Sequence, residues 1–344
     1  MKKTRPLLTK SKSLGPKVTI VLPTYNRARF LRQAIDSCVN QSYTNIEINI
    51  VDDGSIDNTA DIVRSYKEGR VHYFRHHKNR GLPESLNTGF SHATGDFLTF
   101  TSDDNWYAPT AIEEMLEFIK ASGVEFVYCN YFLVSDQPYS LKLMRLPDLP
   151  VDGEHCVNNV GACFLFTRHV LESIGRFDPD AFLSEDYDYW IRVSKRFEMR
   201  HLPRPLYFYR AHPASISSFN VIEVRVVGLL VGIKNGVFPI VNAERLMDEI
   251  NAQSRTSPLL GSRIYSKAFH LNRLAVNLLT PPTRKIMVDL ASGKLSFKSA
   301  RSILCSVALG HYDGRALRTL LSLEHFLSSR FNNRQTFSQT LSCT

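Results

Sequence analysis

Several absences in the 344-residue sequence narrow its class before any motif is found. No run of about 18 uncharged apolar residues occurs, so no membrane-spanning helix is expected. The nearest stretch, 226–240, is short and broken by Lys234, Asn235 and Pro239. The N-terminal MKKTRPLLTKSKSLGPK is basic but has no apolar core, so no secretory signal is expected. The six cysteines, at 38, 129, 156, 163, 305 and 343, form no C-x-x-C pair and no His/Cys cluster. Neither a zinc site nor a disulfide framework is expected, and a reducing cytosol fits best. No G-x-G-x-x-G follows the first apolar run, which disfavours a dinucleotide-binding dehydrogenase, and there is no Walker lysine motif.

Acid is scarce at both ends of the chain. Residues 1–17 carry six Lys/Arg and no Asp/Glu, and residues 221–344 carry 16 Lys/Arg against 7 Asp/Glu. The stretch between, 18–220, carries 20 Lys/Arg against 26 Asp/Glu. A basic end suits an anionic membrane surface, and no nucleic-acid partner is expected. The expected location is the cytoplasm, peripheral on the inner face of the membrane. With 43% hydrophobic and 22% charged residues the composition is that of an ordinary folded protein.

What is present is a β/α alternation with short connections. Lys17–Pro23, Ile46–Val51, Val71–Phe74, the stretch around Phe97–Phe100 and Glu125–Tyr131 read as strands. Ala28–Asn40, a segment capped by Asp57 and running to Tyr66, Leu82–His92 and Pro109–Ala121 read as helices. Such an order predicts an α/β fold with a mixed, mostly parallel sheet flanked by helices. Further strands are expected at Leu141–Leu146, Ala162–Thr167 and Leu206–Arg210, and helices at His169–Ile174 and Tyr187–Ser194, with a loop over Pro147–Asn159. After about residue 220 come amphipathic segments, Val224–Ile233, Ser262–Leu279 and Leu317–Phe331, the second ended by Pro281-Pro282. The expected organisation is a basic flexible leader (1–16), a catalytic domain (17–220) and a basic, mainly helical C-terminal region (221–344).

Carboxylates end the strands. Asp52-Asp53 and Asp103-Asp104 follow two parallel strands and so share one sheet edge, and Glu185-Asp186 and, more weakly, Asp178 stand further on. Ligands collect beyond the carboxyl ends of the strands in open α/β sheets. A carboxylate pair there suits Mg²⁺, which takes one or two carboxylates and completes its shell with water and phosphate oxygens. A helix cap is the alternative use for Asp103 and Asp104. The first strand brings Pro23-Thr24-Tyr25-Asn26 to the same edge. A ring, small polar groups and a carboxylate are what a nucleobase and ribose need.

The stretches VTIVLPTYNR, VDDGSIDNT, NRGLPESLNTG, TGDFLTFTSDDNWY and SEDYDYWIRV occur in this order. Together, over roughly 17–212, they resemble the inverting nucleotide-sugar glycosyltransferases of family 2, with the GT-A fold. The resemblance implies that Pro23, Thr24, Tyr25 and Asn26 line the nucleotide and that Asp53 contacts the base, most often uracil in this family. It places Arg80, Leu82 and Asn87 near the nucleotide or donor sugar and Asp103 on the ribose or sugar. It implies Mn²⁺ or Mg²⁺ on Asp104, with His212 as a metal or pyrophosphate contact. Asp186 matches the family's catalytic base, with Glu185 and Asp188 as alternatives. Glu185 and Trp190 are expected at the acceptor, Tyr189 and Trp190 mostly as core and pocket wall. Many members read Ala-Arg-Asn where this chain has Ser85-Leu86-Asn87, so one arginine of the pattern is missing.

The implied activity is metal-dependent, inverting transfer from a nucleotide-diphosphate sugar, UDP-linked by preference. The acceptor would be a hydroxyl of a glycan or lipid-linked molecule, in cell-surface polysaccharide or glycoconjugate synthesis. One base must deprotonate the attacking hydroxyl, and a cation must stabilise the departing diphosphate. The alternatives are a catalytically silent nucleotide- or glycan-binding protein, or a nucleotidyltransferase making NDP-sugars. The latter lacks its Gly-rich basic loop here.

Overall fold

The computed structural model describes residues 15–136, 139–152, 157–212, 215, 221–237 and 281–308. Residues 1–14 of the expected leader and the segments Ser262–Leu279 and Leu317–Phe331 lie outside them. The chain divides into two compact units, one of Met1–Pro150, Asn159–Pro179 and Arg192–His212, the other of Val151–Asn158, Asp180–Ile191 and Pro213–Thr344.

The first unit begins with β1 (Val18–Thr24), α1 (Ala28–Val39), β2 (Ile46–Asp52), α2 (Thr59–Ser65), β3 (Val71–Arg75), α3 (Leu82–Ser91) and β4 (Phe97–Phe100). Every residue of β1 and β2 is buried, as expected of inner strands covered on both faces. Helix α1 buries Leu31, Ala34, Ile35 and Cys38, the spacing of one helical face. Each fully buried Leu or Ile there stabilises the unit by roughly 1.5–3 kcal/mol. Helix α3 crosses β1 so closely that a side chain at Gly89 would collide with Val21. A Gly89→Ala change would force the helix off the sheet.

After β4 come β5 (Trp106–Tyr107), α4 (Ala111–Ser122), β6 (Phe126–Asp136), β7 (Tyr139–Met144), β10 (Phe164–Thr167), α5 (Arg168–Ile174) and β11 (Met199–Ala211), with two short strands numbered β8 and β9 between β7 and β10. The sheet order is β3-β2-β1-β4-β10-β6-β11-β5, with β7 on β6. Neighbours from β3 to β4 are parallel, β10 is antiparallel to both β4 and β6, and β11 runs parallel to β6. Strands β1, β2, β4 and β11 therefore all end at one edge. The chain moves outward from β1 to β3 and returns to β4 on the other side of β1. That reversal between β1 and β4 is the switch point where open α/β sheets bind ligands.

Three local expectations are corrected. Strand β5 falls in a stretch assigned to no element and pairs with β11. Strand β11 starts seven residues earlier than read from the apolar run, with irregular register around Pro205, where the ring removes a donor from the ladder. Asp57 does more than start one helix. Its Oδ2 accepts from Ala28 N at 2.9 Å, at the start of α1, and its Oδ1 from Thr59 N at 3.1 Å, at the start of α2.

The second unit holds β8 (Val151–Asp152), β9 (Val157–Asn158), most of α6 (Glu185–Ser194), α7 (Val221–Lys234), α8 (Pro281–Ala291) and α9 (Phe297–Ala308). Its core joins Tyr187 and Ile191 to Val227, Leu230, Ile286, Met287, Ala300 and Leu304. Helix α7 is not the amphipathic segment expected. Val227, Leu229, Leu230, Val231 and Ile233 are all buried; at 100° per residue they spread over about 200° of the helix surface, and Gly232, in the remaining arc, is buried too. Pro281-Pro282 opens α8, where proline suits a first turn.

Candidate active site

Three turns meet at the switch-point edge. After β1, Asn26 adopts a left-handed conformation (φ 52°), which asparagine tolerates. Its backbone N–H donates to Ser55 Oγ (2.9 Å) and its Oδ1 accepts from Ile56 N (2.9 Å), knitting the β1 turn to the β2 turn. Pro23 and Thr24 are buried, whereas the Tyr25 ring is 44% exposed and open to stacking.

Asp53 is a buried anchor. Its Oδ1 accepts from His76 Nδ1 (2.7 Å) and Arg80 N (2.8 Å), and its Oδ2 from Gly81 N (2.8 Å). A carboxylate offers about four lone-pair sites, so about one remains for a ligand. His76 is held in turn by Thr88 Oγ1, 2.9 Å from its Nε2. The neighbouring Asp52 is wholly structural, taking Ser55 N (2.7 Å) and the Tyr73 hydroxyl (2.6 Å). Gly54, at φ +81°, lets the turn pass against the backbone of Lys78. The Arg80 guanidinium pairs with Glu84 at 3.1 Å, so its backbone N–H is the group that serves Asp53. Leu82 opens α3. The Asn87 amide clasps the backbone of Phe177, donating to its O (2.9 Å) and accepting from its N (2.8 Å).

Asp103 and Asp104 follow β4 and are both buried. Burial, and next the charge of Asp104, push Asp103 up to about 7, and its Oδ2 accepts from Tyr25 N at 3.4 Å. Asp104 Oδ2 accepts from Arg27 Nη1 at 2.8 Å and lies 2.9 Å from His212 Nε2. His212 follows β11, so two strands far apart in sequence deliver this pair to one edge. Arg210 fixes the turn from below. Its guanidinium lies 4.8 Å from the ring centres of both Phe30 and Trp106 and donates to Asp104 O at 3.1 Å. Its backbone N–H donates to Asn105 Oδ1 at 2.8 Å.

No group of three or more His, Cys, Asp or Glu that could hold a metal occurs among the described residues. Asp104 and His212 provide one carboxylate oxygen and one imidazole nitrogen. That donor set fits Mn²⁺ or Mg²⁺ as these ions bind beside phosphates, with few protein ligands and the rest of the shell from water and substrate.

In the second unit, Leu183 has φ 83°, an uncommon conformation for a branched side chain. It precedes the acidic start of α6. Leu183 N donates to Glu185 Oε2 at 2.8 Å. Burial, and then the charge of Asp186, push Glu185 up to about 8. Asp186 is also raised, by burial, while Tyr187 N donates to its Oδ1 (2.7 Å) and Asn158 Nδ2 to its Oδ2 (2.9 Å). Asp188 is engaged by Asn235 (3.0 Å) and Lys234 (3.4 Å). Tyr189 and Trp190 are fully buried, so neither ring presents a face to an acceptor sugar.

Sequence reading missed three residues here. Arg27 sits inside the PTYNR motif, beside the edge, and its charge was the available signal. His76 and Asn158 reach Asp53 and Asp186 from 23 and 28 residues away, and no local pattern announces them.

A switch-point edge lined by Asp53, Asp103 and Asp104, on a mixed sheet flanked by helices, is the arrangement of the GT-A fold. The comparisons agree. Residues 19–175 match the family described as Glycosyl transferase family 2. An uncharacterized glycosyltransferase of Rickettsia typhi is 32% identical over 194 residues, covering 53% of this chain and 60% of the relative. The Escherichia coli UDP-Glc:alpha-D-GlcNAc-diphosphoundecaprenol beta-1,3-glucosyltransferase WfaP is 26% identical, over 58% of this chain and 80% of its own. Residues 1–349 of S. aureus TarS, solved with UDP, share the fold at TM-score 0.51 and 17% identity, covering 86% and 92% of the two chains. Residues 19–175 thus carry a family 2 glycosyltransferase domain. The chain spans about 60% of the length of the first Rickettsia relatives it matches.

Proposed function

We propose that this protein transfers a sugar, with inversion, from a UDP-sugar to a hydroxyl of a lipid-linked or glycan acceptor. The observation that carries the reading is the convergence of Asp104 and His212, 2.9 Å apart, at the edge where β1 presents Tyr25 and β2 presents Asp53. The name of WfaP supports a UDP donor and a diphosphoundecaprenol-linked acceptor. The Lys/Arg excess of 221–344 supports action at an anionic membrane surface, in cell-surface polysaccharide synthesis. No helix among the described residues is long and apolar enough to cross a membrane.

In this reading Tyr25 stacks on the base. The remaining acceptor site of Asp53 takes the imide N–H, while His76 and the backbone of Arg80 and Gly81 hold its carboxylate still. Asp103 accepts from a ribose or sugar hydroxyl. Asp104 and His212 hold Mn²⁺ or Mg²⁺, which when bound neutralises charge on the leaving diphosphate. Asp186 takes the proton of the attacking hydroxyl as its oxygen bonds to the anomeric carbon and the bond to the diphosphate breaks. Burial suits Asp186 to this work, because a raised carboxylate is a stronger base. Asn158 and Tyr187 N orient its two oxygens.

Calorimetric titration with UDP, GDP, dTDP and CDP, each with and without Mn²⁺, tests the reading. UDP is expected to bind wild type more tightly with Mn²⁺, and the metal effect to vanish in Asp104→Ala. Product from UDP-sugar and a lipid-linked acceptor should show an inverted anomeric centre by NMR. Absence of diphosphate binding under every condition would refute the assignment, and binding without turnover would favour a silent binding protein.

A further inference from the structure

Arg27 Nη1 lies 2.8 Å from Asp104 Oδ2 and 3.1 Å from His212 Nε2. One cationic nitrogen therefore touches both groups assigned above to the divalent cation. An arginine cannot shed this charge by deprotonation. A metal ion on the same two atoms would meet a like charge at contact distance. The backbone that carries Arg27 is pinned on both sides, by Asn26 to Ser55 and Ile56 and by Ala28 to Asp57. Its side chain is 18% exposed, so it can change partners by side-chain rotation alone. Arg210, by contrast, is only 8% exposed, enclosed by two rings and bonded to the Asp104 backbone.

We propose that Arg27 is a built-in counter-cation that holds Asp104 and His212 together without metal, competes with the divalent ion, and moves to the donor's diphosphate when nucleotide and metal enter together. The inference rests on the reading of Asp104 and His212 as the cation site. The replacement is chemically matched, since a guanidinium pairs with phosphate as well as with carboxylate. Its consequence is ordered binding. Metal alone is held weakly, and metal with nucleotide is held well, because the diphosphate offers Arg27 a further anion.

The test is a Mn²⁺ titration of the full chain, following the free-ion EPR signal, on wild type, Arg27→Gln, Arg27→Lys and Asp104→Asn. Without nucleotide, Arg27→Gln should bind Mn²⁺ at least about tenfold more tightly than wild type, the effect of one close charge on an ionic equilibrium. Arg27→Lys keeps the charge and should bind as weakly as wild type. Adding UDP should narrow the gap between wild type and Arg27→Gln. If Arg27→Gln binds no more tightly than wild type while Asp104→Asn abolishes binding, the counter-cation role is overturned and the metal site stands. If neither wild type nor Arg27→Gln binds Mn²⁺ even with UDP, the cation site fails and this inference with it. A second measurement needs no loss of charge. In wild type, the Arg27 Nε–H resonance, assigned by its loss in Arg27→Lys, should shift when Mg²⁺ and UDP saturate the protein, and a resonance that stays put overturns the proposal.

Discussion

Asp103-Asp104 in the first unit and Glu185-Asp186 in the second are both pairs of adjacent acids whose charge burial opposes, and the two pairs are built differently. In both, burial raises one member well above the usual carboxylate range: Asp103 to about 7 and Glu185 to about 8. The other member differs in its company. Asp104 is met by the guanidinium of Arg27 and the imidazole of His212. Asp186 is met by the amide of Asn158 and the backbone N–H of Tyr187. Two carboxylates side by side cannot both ionise cheaply in a low dielectric, so the partners decide what the charged one is for. Cationic company can be exchanged for a metal ion and suits a group that holds phosphates. Neutral company leaves a carboxylate free to take a proton and return it.

The sharpest way to break this contrast is to neutralise one pair at a time. Asp186→Asn keeps the shape and removes the proposed base. Its kcat is expected to fall about a thousandfold, within the usual range for loss of a general base, while UDP affinity with Mn²⁺ stays at the wild-type value. Single-turnover rates beside calorimetry separate the two quantities. If UDP affinity collapses while turnover survives, the roles of the two pairs are exchanged.

A smaller effect sharpens the neutral half of the second pair. Glu185 is raised from the ordinary 4.5 to about 8, chiefly by burial and then by Asp186. The sign follows from proton counting. Between those two values the folded protein holds a proton that the unfolded chain has lost. Stability is therefore full below the unfolded value, falls as pH rises at about 1.4 kcal/mol per unit at most, and reaches its floor above the folded value. Glu185→Gln removes the slope, so its urea-midpoint curve should be flatter through that window and cross above wild type on the alkaline side. Parallel curves for the two proteins would show that Glu185 ionises normally.

Much of the first unit was legible because local signals and tertiary demands coincide there. β1 and β2 are apolar runs that end in polar turns, and a parallel inner strand asks for that pattern. The order of the strands put Asp53, Asp103 and Asp104 on one edge before any coordinates did. Illegible parts depend on contacts between distant stretches. Arg27 reaches Asp104 across 77 residues and Asn158 reaches Asp186 across 28. Helix α7 was misjudged for a related reason. Its apolar residues lie on more than one face, and Val227, Leu229, Leu230, Val231 and Ile233 are all buried, so only packing from several sides makes use of such a helix. Trp190, read mostly as core and pocket wall, is fully buried in the core.

The smallest expected effect belongs to Asn158, whose amide is the side-chain partner that distinguishes the second pair. Asn158 Nδ2 donates to Asp186 Oδ2 at 2.9 Å, and Tyr187 N to Oδ1 at 2.7 Å. With one oxygen fixed by the helix backbone, the amide fixes the other, and the carboxylate cannot rotate away from an incoming hydroxyl. The hydrogen bond also favours the ionised form of Asp186 against the burial that raises it. Asn158→Ala should thus lower kcat about tenfold, in line with the worth of one hydrogen bond to a charged group, and leave KM for the UDP-sugar unchanged. It should also move the acidic limb of the kcat profile to higher pH, because Asp186 loses a partner that holds it ionised. Asn158→Asp should shift that limb further, by adding a like charge. A residue that merely held β9 in place would alter stability and leave the limb where it was, so the pH profile is the measurement that separates the two roles.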